Sequence, residues 1–273
     1  MRSRLLTARP RVMGVVNTTA DSFSDGGRYL GFDAALAHAR RLIAEGADIL
    51  DLGAESTRPG AAPVAAEVEI DRLLPLIVAL RAKSAIPISV DTMKPEVARA
   101  AIAAGATMWN DVTALRHAPE SAATAAELGC DIVLMHMQGE PGTMQAEPHY
   151  EDVVAEVVAF LAERAKLAIW AGVARERIWL DPGIGFGKHP TRHNLPLLAG
   201  LDRIVALGFP VLLGASRKRF IGMLDGDAAA DGRLGGSIAA AIAGAAAGVA
   251  AVRVHDVRET VQALKVWDAI RSG

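Results

Sequence analysis

Ala34-Ala-Leu-Ala-His-Ala-Arg-Arg-Leu-Ile-Ala-Glu-Gly46-Ala-Asp-Ile-Leu-Asp-Leu-Gly-Ala-Glu55 holds the unit that decides the fold. Its alanine-rich first half reads as an amphipathic helix. Gly46 stands where the residue after a helix commonly takes a positive φ. A short apolar strand, Ile49–Gly53, comes next, and polar residues follow it. The order recurs. Gly105, Gly129, Gly172, Gly208 and Gly248 each close a helical pattern, with strands expected soon after at Met108–Val112, Ile132–His136, Ile178–Asp181, Val211–Gly214 and Val249–His255. Val12–Asn17 and Ile88–Thr92 bring the expected strands to eight.

These strands are near-continuous apolar runs, the pattern of a parallel sheet covered by helices. Eight of them alternating with helices predict an α/β fold, a single (β/α)8 TIM barrel. A doubly wound open sheet is the alternative, but it would usually carry a nucleotide fingerprint near its first turn, and none is present. No linker, low-complexity tract or compositional break divides residues 1–273, so one domain is expected.

The length of 273 residues suits such a barrel, since single barrels of about 250 residues are common. A chain of this size buries roughly three quarters of its unfolded surface and needs no disulfide or metal to fold. Cys130 is its only cysteine. That excludes a disulfide framework and a cysteine-based zinc site, and fits a reducing cytoplasm. At the start of a strand, on the stability face of the barrel, Cys130 should be inert. With 29 Lys+Arg against 31 Asp+Glu the net charge is −2, which argues against a general binder of nucleic acid or anionic membranes. Hydrophobic residues at 51% against 22% charged exclude disorder.

Met1 to Arg9 lacks an apolar run long enough for a signal peptide. Between Arg233 and Arg253, however, lie 19 uncharged residues that include Gly244-Ala-Ala-Ala-Gly248, a small-xxx-small pattern. Membrane helices share that length and pattern. Alanine and glycine partition weakly into lipid, so a buried helix ending at Gly248 is expected instead.

The C-terminal strand ends carry Asn17, Glu55, Asp91, Asn110 with Asp111, His136, Asp181, Ser216 with Lys218, and Arg253 with His255. Polar groups thus gather on the rim where barrel enzymes build active sites. Asp181-Pro-Gly-Ile-Gly-Phe-Gly-Lys188 fails as a Walker A because Pro182 takes the first glycine position and His189 replaces Ser/Thr. It fails as GxGxxG because Lys188 stands at the third glycine. What remains is Asp181 followed by a loop whose glycines let its backbone approach a ligand. His189 and His193 have the spacing of a zinc helix, but Pro190 and the missing glutamate make a loop entering a helix the better reading.

Strand alternation puts Arg253 and His255 on one face, an arrangement suited to phosphate oxygens. Arg217 and Arg219 read equally well as surface cations. Asp91, Asp181 and Asn110 serve a different partner: a carboxylate accepts two hydrogen bonds side by side and so matches an amidine-like edge of a heterocycle. Together these groups describe a site for a heterocycle carrying a phosphate or diphosphate.

The motifs resemble the dihydropteroate synthase family, the folate-pathway enzymes inhibited by sulfonamides. The resemblance runs from Met13 to about Trp267 over separate stretches in the family's order. These are Met13-Gly-Val-Val-Asn-Thr-Thr-Ala-Asp-Ser-Phe-Ser-Asp-Gly-Gly27, Glu55-Ser-Thr-Arg-Pro-Gly60, Ser89-Val-Asp-Thr92 and Asn110-Asp111. Leu134-Met-His-Met-Gln-Gly139, the Asp181–Lys188 loop, Ser216-Arg-Lys218 and Arg253-Val-His-Asp256 complete the set. The family joins 6-hydroxymethyl-7,8-dihydropterin diphosphate to 4-aminobenzoate with Mg2+, releasing diphosphate and 7,8-dihydropteroate. By motif position the resemblance implies that Asp91, Asn110, Asp181 and Lys218 form the pterin pocket. Asn17 is implied as the Mg2+ ligand, and Arg253 and His255 as ligands of the diphosphate oxygens. Phe23 and Asp25 lie on a first loop and Thr57 and Arg58 on a second, which close over the substrates. Ser216 and Arg219 border the aminobenzoate site. A homodimer through barrel helices is also implied.

The residue chemistry agrees with this resemblance. An arylamine is its own nucleophile, so no catalytic serine or cysteine is needed. The demanding event is departure of the diphosphate, whose growing charge Mg2+, Arg253 and His255 would neutralise. Carboxylates around the pterin would favour positive charge on the ring, so the expectation is a dissociative, SN1-like substitution with 4-aminobenzoate entering after the loops close. Two departures stand out. Ala20 replaces the family's usual proline and should loosen the first loop. Arg219 replaces a serine found in many members and could attract the aminobenzoate carboxylate. The rival readings are a methyltransferase of the same superfamily acting on methyltetrahydrofolate, and a catalytically silent pterin-binding homologue. Thr57-Arg58, Ser216-Arg-Lys218 and the Asn17 loop favour the synthase, and Ala20 alone points to a silent homologue.

Overall fold

The computed structural model describes residues 9–18, 28–55, 63–139 and 142–273. Along them run β1 (Arg11–Asn17), α1 (Arg28–Ala44), β2 (Ile49–Gly53), α2 (Ala66–Arg81), β3 (Ile88–Asp91), α3 (Pro95–Ala103) and β4 (Met108–Asp111). Then come α4 (Ser121–Leu128), β5 (Asp131–Met135), α5 (Val153–Trp170), β6 (Ile178–Asp181), α6 (Asn194–Ala199) and α7 (Leu201–Val205). The chain ends with β7 (Leu212–Leu213), α8 (Arg219–Leu224), α9 (Leu234–Ala247), β8 (Ala251–Val254) and α10 (Val257–Ser272). Neighbouring strands pair in the order β6-β5-β4-β3-β2-β1-β8-β7. A parallel bridge from Leu180 to Val211 then joins the two edge strands. The sheet closes, and the (β/α)8 barrel expected from the repeating unit is the fold observed.

The six helix-terminal glycines behave as the pattern requires, with φ from 57° at Gly129 to 112° at Gly105. Strands β3 and β4 end one residue earlier than expected, and β7 and β8 are shorter by two residues or more. At β7, Val211 is used in the bridge to Leu180 and Gly214 opens toward the rim. Before β8, Val249 N donates back to Gly244 O at 3.1 Å and Ala250 N to Val211 O at 2.8 Å, so regular pairing begins only at Ala251. The uncharged run folds as α9, stopped by Gly248 in the left-handed conformation. Among the described residues, no helix is long and apolar enough to cross a membrane.

Strand alternation divides the core in two. Outward side chains such as Val12, Leu50, Leu52, Val90 and Leu134 pack under the helices. Inward ones build a separate floor from Met13, Ile49, Met108, Val133, Trp179, Leu212 and Ala251. At the closed end Arg11 lies over the Trp179 ring at 4.7 Å. Two residues further along the same strands the chemistry changes. Above Ile49, Met108, Trp179 and Ala251 stand Asp51, Asn110, Asp181 and Arg253, with Asp91 on β3 beside them. Period-two geometry thus converts a greasy plug into a charged layer within one step, at the end of the barrel where the strands finish.

Candidate active site

A cleft of about 570 Å³ opens above that layer. Of the expected site residues, Asn17, Asp91, Ser216, Lys218, Arg219, Arg253 and His255 line it. Asn110 and Asp181 do not form its wall. They lie buried beneath it, at 4% and 5% exposed. Phe23, Asp25, Thr57, Arg58 and Ala20 lie outside the described residues.

The layer is one ionic network. Arg253 donates from Nε to Asp51 Oδ2 at 2.6 Å and from Nη2 to Asp91 Oδ2 at 2.9 Å. Asn110 Nδ2 points at both Asp51 oxygens, at 3.4 and 3.5 Å. Burial alone would weaken the Arg253 guanidinium, but Asp51 and Asp91 outweigh it and hold the side chain charged. Asp91 moves the other way. Burial lifts its carboxyl well above the usual range, with Arg253 only partly opposing and Asp51 adding repulsion. Burial likewise raises Asp181 to about 6, against the Gly183 N–H bond at 2.7 Å and the positive charges of Lys218 and Arg253.

On the β7 and β8 side, Ser216 Oγ lies 3.1 Å from His255 Nδ1. Burial, then Arg253 and Arg217, lower His255 to about 4. The expectation of a cationic His255 is therefore corrected: at neutral pH the ring is uncharged and offers hydrogen bonds, and the charge at this strand end belongs to Arg253. Arg217 is not a plain surface cation either. It takes φ 57° and forms an ion pair with Asp256, Nη2 to Oδ1 at 2.5 Å. Arg219 is exposed at the start of α8.

The glycine-rich loop after β6 differs from its expected role. Gly183 and Gly187 take positive φ, and a Cβ on them would overlap the backbone oxygens of His136 and Gln138. These glycines serve close approach to the chain leaving β5, while only Gly185 and Phe186 of the loop's middle face the cleft. Phe186 and Lys218 meet there, with Lys218 Nζ 4.2 Å from the ring centroid. His136 does not line the cleft; it lies behind Lys188, whose Nζ donates to its Nδ1 at 2.8 Å.

Several contributors escaped sequence reasoning. Asp51 sits inside an apolar strand, and the available signal was a lone acid at an inward position two residues above Ile49. Lys188 drew notice only as the residue that stands at the third glycine of a GxGxxG pattern. Glu69 on α2 is wholly buried and pairs with Lys94, which also pairs with Glu55 at the cleft edge. Asp111 is structural: it accepts from Thr113 N at 2.8 Å and Leu115 N at 2.7 Å, holding a loop where Ala114 and Leu115 take positive φ.

Among the described residues no cluster of His, Cys, Asp or Glu could hold a metal ion alone. His189 and His193 are used locally, His193 Nδ1 accepting from His189 N at 2.9 Å. Asn17 remains, exposed at the end of β1 with its amide on the cleft.

A barrel with buried acids and an amide beneath a basic cleft is the arrangement of a pterin-binding enzyme, and the family model described as "Pterin binding enzyme" matches residues 13–255. A dihydropteroate synthase of Escherichia coli is 46% identical over 265 residues, covering 97% of this chain and 93% of that one. The dihydropteroate synthase of Xanthomonas albilineans, solved with 4-aminobenzoic acid, is 53% identical with a TM-score of 0.90, covering 97% of this chain and 94% of that chain. The same enzyme solved with 7,8-dihydropteroate aligns with a TM-score of 0.88 at 50% identity, over 97% and 95% of the two chains. The chain belongs to the pterin-binding enzyme family and, within it, to the dihydropteroate synthases.

Proposed function

We infer that this chain joins 6-hydroxymethyl-7,8-dihydropterin diphosphate to 4-aminobenzoate, giving 7,8-dihydropteroate and diphosphate for folate biosynthesis. The observation that carries the reading is the charged layer of Asp51, Asp91, Asn110, Asp181 and Arg253 set under a cleft lined by Asn17, Lys218 and His255. The acids and the amide suit the N–H edges of a pterin. Arg253 and His255 suit the oxygens of the leaving diphosphate.

The proposed mechanism is a dissociative substitution. Carboxylates held in a low-dielectric layer favour positive charge developing on the pterin methylene, and the cations above draw off the diphosphate. Phe186 and Lys218 offer an apolar face and a cation for an aromatic carboxylate such as 4-aminobenzoate. Ser216 and exposed Arg219 flank them. Phe23, Asp25, Thr57 and Arg58 are assigned to this reaction only by motif position.

Mg2+ keeps most of its waters and binds through one or two protein oxygens plus substrate phosphates. The Asn17 amide, on the cleft at the end of β1, fits that habit. Asn17 would hold the ion, which when bound supplies charge neutralisation at the leaving diphosphate. A homodimer through barrel helices belongs to the same proposal, supported by Val266 and Ile270 exposed on α10. So does a cytoplasmic location, supported by the single, buried cysteine.

A coupled assay for diphosphate release tests the reading. Release should require both substrates, fall when Mg2+ is chelated, and be lost in Asp181→Asn. An Asp181→Asn variant as active as the parent would overturn the pterin assignment, and a parent that binds pterin without releasing diphosphate would show a silent homologue.

A further inference from the structure

Lys188 is wholly buried, and no step assigned above uses it. Its Nζ sits inside the glycine-rich loop, donating to Gly183 O at 3.0 Å, to Phe186 O at 3.1 Å and to His136 Nδ1 at 2.8 Å. Those acceptors come from two segments, the loop after β6 and the chain leaving β5. A buried amine is tolerated only when acceptors surround it. Here they surround it because the loop folds around the lysine.

The two carbonyls it gathers belong to residues on which the site depends. Gly183 N donates to Asp181 Oδ1 at 2.7 Å, so the peptide that Lys188 holds through its carbonyl is continuous with the one that orients the acid. Phe186 presents its ring to Lys218. Helix and strand pairing do not fix this loop, in which Gly183, Gly185 and Gly187 all take positive φ. Glycines alone would leave many loop conformers of similar energy. An internal strut that ties the first and second glycine turns together selects one.

We propose that Lys188 is a positioning residue for the pterin site: clamped between Gly183 O, Phe186 O and His136 Nδ1, its amine fixes the glycine-rich loop and so aims the Asp181 carboxylate and the Phe186 ring. The proposal rests on the pterin reading of the cleft given above. Charge adds a second route for the same effect on the acid side of neutrality, because burial lowers the Lys188 amine to about 7. Asp181 faces Lys188 from its own loop, Lys218 from the segment after β7 and Arg253 from β8, and each favours its ionised form.

Calorimetric binding of 6-hydroxymethyl-7,8-dihydropterin, followed from about pH 5.5 to 8, tests this without turnover. Lys188→Met keeps the length of the side chain and removes its donors. It should weaken pterin binding about tenfold or more and move the acid limb of binding to higher pH, because Asp181 loses a stabilising charge. His136→Phe keeps the ring that packs against Phe160 and removes one acceptor. It should shift both readouts the same way by a smaller amount. A folded Lys188→Met that binds as the parent does, with an unmoved limb, overturns the proposal. If Lys188→Met fails to fold, His136→Phe decides, and a variant changed in Tm alone counts against a positioning role. A parent that binds no pterin refutes the cleft reading itself, a result distinct from parent and variant binding equally.

Discussion

Arg253 on β8 donates from Nε to Asp51 Oδ2 on β2 at 2.6 Å, reaching past β1, which lies between the two strands in the sheet. The bond is therefore a strut across the barrel rather than a contact between neighbours. Asp51 is wholly buried and a second Arg253 nitrogen is held by Asp91. Removing one partner of such a pair leaves a buried charge uncompensated, at a cost of about 3–5 kcal/mol. Asp51→Ala should lose stability in that range by urea denaturation and lose pterin binding with it. Adding Arg253→Met to Asp51→Ala should recover part of the stability but none of the binding. Simple additivity of the two losses would show that the strut is not a unit.

The pH dependence of kcat/KM for the dihydropterin substrate follows from the buried acids Asp91, raised to about 7, and Asp181. The free enzyme's Asp181 carboxyl titrates near 6 because burial resists its charge. Only the ionised form can accept two hydrogen bonds from the pterin edge. Activity should then fall as pH drops through about 6, by about tenfold per unit below it. His255 does not explain such a limb, since it stays neutral down to about 4. A profile flat from pH 5 to 8, where a fall of about one decade or more is expected, would remove Asp181 from the pterin contact.

Two glycines on the same rim should respond oppositely to alanine. At Gly183 the positive φ and the neighbouring His136 oxygen leave no room for a Cβ, so Gly183→Ala must displace the loop and should abolish pterin binding. At Gly142 no described residue comes within 4 Å of an added Cβ. Gly142→Ala should be neutral to within about 0.5 kcal/mol. Equal effects at both sites, measured by Tm and by pterin affinity, would contradict the role given to the loop's close approach to β5.

The fold was readable because six helical patterns end in a glycine and each strand is an apolar run, signals that are local in the chain. The acids Asp91 and Asp181 and the amide Asn110 were readable because a strand end marks the rim. Asp51 was not, since its function depends on an inward position shared with Arg253, which lies 202 residues away. Lys188 was missed for a related reason: burial of a lysine depends on carbonyls gathered from two segments, and composition says nothing about that. The glycines of its loop gave a true signal of close approach, but the partner of that approach is His136 and Gln138 and was invisible in one dimension. His255 was assigned a charge from its residue type, whereas burial beside Arg253 and Arg217 removes it.

Cys130 should behave as an inert core residue. Burial raises its thiol to about 11, so little thiolate exists near neutrality. A thiol reagent should react with the native protein only at the rate of unfolding. Cys130→Ala should retain full diphosphate release, and fast labelling of the folded enzyme would contradict the burial of this position.

Lys94, beside the cleft edge, gives the sharpest link between charge and stability. It pairs with Glu69, whose side chain is wholly buried, and with Glu55. Thr92 Oγ1 also donates to Glu69 at 3.0 Å. Burial raises the Glu69 carboxyl and Lys94 opposes that rise. In Lys94→Met the opposition disappears, so the folded-state pKa of Glu69 climbs further above its unfolded value. A carboxyl raised in this way contributes stability below its unfolded pKa and loses it as pH increases through the folded one. The variant should therefore lose about 3–5 kcal/mol near pH 8, where both carboxylates must stay charged without their partner. It should lose distinctly less near about pH 5, where Glu69 takes up a proton on folding. Urea denaturation of parent and variant at the two pH values measures the difference. An identical loss at both would mean that Lys94 acts by packing its aliphatic stem rather than by its charge.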